Sequence, residues 1–109
     1  MAWQEVIEDG NVWIYEYVAN GYKANVIATL LDENDLVIVS PPIGLSETNF
    51  AEIDAKGHVK ALIAPHSGHD LGQAEWQARY PNAISYAPTT ALSFQYYFSA
   101  FYFDWRSID

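Results

Sequence analysis

Five short apolar runs, each closed by turn-forming or polar residues, constrain this chain more than any other feature. They are Val12–Val18, Asn25–Leu31, Leu36–Ser40, Val59–Ala64 and Ile84–Ala87. The first is β-branched and aromatic throughout, which favours a strand. Asn20-Gly21 after it offers residues that tolerate a left-handed backbone, as a tight hairpin needs. Asp32-Glu33-Asn34-Asp35 is a second polar turn of hairpin length, so the first third reads as an antiparallel meander. Val37-Ile38-Val39 has no alternation, which predicts a strand covered on both faces. Pro41-Pro42 ends it, because proline cannot donate to a ladder.

The remaining runs alternate with helical patterns. Glu47 to Gly57 predicts a helix with Phe50 and Ile53 on one side. Acidic residues lie early in it, Lys56 lies late, and Gly57 sits in the C-terminal glycine position. Gly72 to Tyr80 predicts a second helix, with Trp76 and Tyr80 four apart on one face and Pro81 as the stop. The order strand, helix, strand, helix, strand then calls for a parallel crossover in the last step. The expected fold class is α/β: one domain, residues 1–109, with a mixed sheet and helices on one face.

Charge narrows the partners. Fourteen acidic residues stand against five basic ones, a formal net charge of −9. That disfavours nucleic acid and anionic membranes, which reward basic patches. No apolar run approaches the roughly 20 residues of a membrane span. Met1 to Glu5 has no basic region leading an apolar run, so no secretory signal is expected and the cytoplasm is the expected compartment. With no Cys in the chain, disulfide scaffolds, thiolate metal sites and cysteine nucleophiles are excluded.

Chemistry concentrates in Pro65-His66-Ser67-Gly68-His69-Asp70-Leu71-Gly72, between a buried strand and a helix. Ligands of α/β folds sit outside such strand ends. Two imidazoles and a carboxylate suit zinc, and a catalytic zinc needs three protein ligands and an open position. His66, His69 and Asp70 supply that number if the loop turns tightly. The competing reading has both histidines bonding to the backbone while Asp70 caps the next helix. Ser67, His69 and Asp70 lie too close in sequence to form a catalytic triad, which needs a separately oriented base. Asp32, Glu33 and Asp35 lack the glycine and distal glutamate of a calcium loop and read as a solvated turn. His58, beside Gly57, is placed to interact with a helix C-terminus.

The order of elements, followed by VKALIA (59–64) and PHSGHDLG (65–72), resembles the N-terminal half of the metallo-β-lactamase superfamily, whose loop reads T-H-x-H-x-D-H. EWQARYPNAISYAP (75–88) is similar to a divergent bacterial branch of it, in which a Glu-Trp helix precedes a Pro-x-Ala strand. The resemblance covers roughly residues 11–90 and implies half of an αββα sandwich. With Pro65 at the family's Thr, His66 takes the first histidine and Asp70 the aspartate. Gly68 and Leu71 stand where the other two histidines belong, and His69 occupies a spacer position. The family draws further ligands from a second half, whereas no histidine follows His69 here. The resemblance therefore implies a metal-dependent hydrolase-like protein with an incomplete or degenerate site. Its metal ligands would be His66, His69 and Asp70, with Asp70 also the catalytic carboxylate and zinc or iron the cofactor. A bound hydroxide would attack an ester-like or amide-like small molecule. A metal-free, non-catalytic binding or structural domain that keeps the fold is the alternative.

Residues 93–105 hold eight aromatics in thirteen positions. Phe94, Phe98, Phe101 and Trp105 fit helical spacing while the composition favours a strand, and periodicity does not decide between them. A half-domain leaves one sheet face bare, and this segment is the expected cover, either on its own chain or across a homodimer.

Overall fold

A computed structural model describes residues 3–7, 10–19, 21–31, 34–64, 72–87 and 105–107. Seven strands form one sheet in sequence order: β1 (Gln4–Glu5), β2 (Val12–Ala19), β3 (Tyr22–Leu30), β4 (Asp35–Val39), β5 (His58–Ile63), β6 (Ile84–Ala87) and β7 (Trp105–Ser107). The first four are antiparallel and β4 to β7 are parallel. Helices α1 (Glu47–Lys56) and α2 (Gln73–Arg79) connect β4 to β5 and β5 to β6. The meander, the parallel step and the mixed sheet follow the sequence reading.

The alternation of each strand decides what the helices cover. Val26 and Ala28 of β3, Leu36 and Ile38 of β4, and Val59 and Leu62 of β5 are buried on one face. One extra residue in β5 shifts its register against β4 between Leu36 and Val37 and keeps this face in phase. Phe50 and Ile53 of α1 and Trp76 of α2 close over these side chains. The Phe50 and Trp76 rings lie 4.9 Å apart, so both helices share that face. Trp3 seals the β2 side, its indole donating to Asn49 O at 3.2 Å and its ring 5.6 Å from Tyr15. Each fully buried Leu, Ile or Phe contributes about 1.5–3 kcal/mol, so this layer is the main stabilising element.

The helix ends have separate causes. Ser46 caps α1 by accepting from Asn49 N at 3.2 Å. Gly57 ends it as its C-terminal cap, as the sequence suggests, with φ 167°, extended backbone. Glycine is needed there for space, because a Cβ would collide with Asn34 O and Leu30 Cδ1. Coverage of β4 differs from expectation: Ile38 is buried, whereas Val37 and Val39 on the other face are half-buried. The aromatic stretch lies outside the described residues except for its end, where Trp105 opens β7.

Candidate functional site

β4, β5 and β6 are parallel, so their C-terminal ends lie together. Two backbone bonds tie those ends: Ser40 N donates to Ile63 O at 2.8 Å, and Ala64 N to Tyr86 O at 2.9 Å. Ser40 has φ 61°, which turns the chain sharply into the buried Pro41-Pro42 pair. Trp76 Nε1 donates to Pro42 O at 2.8 Å, and Gln73 Nε2 to Leu62 O at 3.0 Å, docking α2 on the strand ends. Gly72 lies against Pro41 and Pro42 so closely that any Cβ would overlap their backbone atoms.

These contacts fix both ends of the loop 65–71, at Ala64 and at Gly72. His66, His69 and Asp70 themselves lie outside the described residues, as does the helix-capping alternative for Asp70. The start of α2 makes no side-chain capping bond through Gly72. Gln73 Oε1 is buried without a hydrogen-bond partner among the described residues. Sequence reasoning missed this anchor set, although Pro41-Pro42 and a glycine at a helix start are its visible traces.

A second neighbour of this end was also missed. β3 pairs with β4 only from Leu30↔Leu36 to Ile27↔Val39, while the β2–β3 pairing continues to Ala19↔Tyr22. The hairpin therefore runs past the C-terminal end of β4, on the side from which loop 65–71 leaves the sheet. Tyr15 and Tyr17 stand at the start and middle of this extension, and burial raises the Tyr17 phenol above its ordinary value.

The opposite end of the parallel strands carries an open cleft of about 460 Å³ lined by Asp54, His58, Arg79 and Tyr80 among others. Its Asp54, Arg79 and Tyr80 side chains are already paired. Tyr80 Oη donates to Asp54 Oδ1 at 2.8 Å, and Arg79 reaches Glu47 at 3.0 Å and lies 4.2 Å above the Phe50 ring. Burial, reinforced by the Asp54 bond, raises the Tyr80 phenol well above its usual value. His58 is exposed at the first position of β5.

No family model matches the sequence, and no curated protein does. Among solved structures, the chain is similar to DIM-1 metallo-β-lactamase, with a TM-score of 0.65 and 17% identity over 95% of this chain and 49% of that one. A second crystal structure of that enzyme, exposed to ceftazidime, matches with a TM-score of 0.61, again at 17% identity, over 95% and 50%. The chain thus has a metallo-β-lactamase-like fold and spans about half the length of the solved structures it matches.

Among the described residues, no group of three His, Cys, Asp or Glu is placed to hold a metal ion. The donor set of the loop does fit one, since two imidazoles and a carboxylate are the ligand types of mononuclear zinc or iron sites. No helix among the described residues is long and apolar enough to cross a membrane.

Proposed function

We propose that the chain is a metallo-β-lactamase-like, hydrolase-type domain with a reduced metal site on the loop 65–71. The observation that carries this reading is the anchoring of that loop, through Ala64 and Gly72, at the C-terminal ends of parallel strands. His66, His69 and Asp70 would hold zinc or iron, which when bound supplies Lewis acidity and lowers the pKa of a water. The chain's own part is to fix the loop ends through Ser40, Pro42 and Gln73. Asp70 would orient the attacking water or hold its proton. The β2–β3 extension, with Tyr15 and Tyr17, would flank a small ester-like or amide-like substrate.

The loop's own composition supports a second reading, a non-catalytic domain that keeps the fold, since Gly68 and Leu71 stand where the resembled family has two of its histidines. Metal content separates the two. Elemental analysis of the purified chain after zinc dialysis is expected to show near-stoichiometric metal that is lost in His66→Ala/Asp70→Ala. Absence of metal from both proteins, with equal resistance to heating, overturns the metal-site reading and leaves the non-catalytic one.

A further inference from the structure

We draw no further inference here: the strongest candidate, the aliphatic face of the sheet turned away from α1 and α2 along the row Ile14, Ile27, Val39 and Ile63, carries none because nothing among the described residues shows what covers it.

Discussion

Gln77 and Ser85 allow a prediction whose sign, and not only its size, comes from the structure. Both residues are fully buried, Gln77 on α2 and Ser85 on β6. Gln77 Nε2 donates to Ala83 O at 2.8 Å and Tyr80 O at 3.1 Å, and the Ser85 hydroxyl donates to Gln77 Oε1. Gln77→Leu preserves volume but strands Ala83 O and the Ser85 hydroxyl. Tyr80 O keeps its bond from Ala83 N at 3.0 Å. Two stranded groups at about 1–3 kcal/mol each, offset by the more apolar side chain, give a net loss of about 2–3 kcal/mol. Ser85→Ala alone strands Gln77 Oε1 and should cost about 1–2 kcal/mol. In the Gln77→Leu background the same Ser85→Ala removes a stranded hydroxyl and should restore about 1 kcal/mol. The coupling energy is then about 2 kcal/mol or more, within the range for residues in one hydrogen-bond network. Urea unfolding of all four proteins at one protein concentration measures it, with constant m-values as the check on two-state behaviour. A Ser85→Ala cost that is equal in both backgrounds refutes the network.

Three further outcomes follow from single groups. Gly72→Ala forces a Cβ into the Pro41 and Pro42 backbone and should cost about 1–3 kcal/mol, read as a lower thermal midpoint. Gly44→Ala has open space but φ +72°, so its cost should be the left-handed backbone penalty alone, about 1 kcal/mol. Tyr80 ionises near 10.0 when unfolded and higher when folded, so its contribution is present below that pH and is lost as pH rises through the folded value. Urea midpoints should therefore fall on the alkaline side. Tyr80→Phe should flatten that fall without abolishing it, because Tyr17 shifts in the same direction.

Much of the fold was legible because its signals are local. The β-branched run of β2, the turn at Asn20-Gly21 and the prolines after β4 and α2 act within a few residues. The strand–helix alternation then limits the topology to a parallel half joined to a meander. What the sequence hid depends on contacts distant in the chain. Gly57 is legible as the glycine that closes α1, but the reason no other residue fits is Asn34, 23 positions earlier, which packs against it (57 − 34). The two residues of β1 carry no strand signal and are ordered by pairing with Trp13 and Ile14. The hairpin's reach beyond β4 is a matter of relative strand length, which composition does not encode. The histidines of the candidate site were visible as residue types, but the residues that hold their loop were not. Ser40 does that through a backbone bond, Gln73 through its amide and Gly72 by close packing on Pro41 and Pro42, and such groups are common everywhere in a chain.

That division of labour separates stability from chemistry in a testable way. At the N-terminal end of β5, charged and phenolic groups pair with one another: Tyr80 with Asp54, and Arg79 with Glu47. Their hydrogen-bonding capacity is spent on joining α1 to α2, so the cleft there is a structural junction. At the C-terminal end, the described contacts are bonds to main-chain carbonyls, from Ser40 and Ala64 amides and the Trp76 and Gln73 side chains. Such an end holds a loop without competing for a ligand, and the imidazoles and carboxylate of residues 66–70 are the chemistry attached to it. Substitutions at Gly72 or Gln73 should accordingly lower stability and metal retention together. Substitutions at His66 or Asp70 should lower metal retention and leave the metal-free protein as stable as before. Equal loss of metal-free stability from both sets would mean that the loop is part of the core, and the case for a site there would fall.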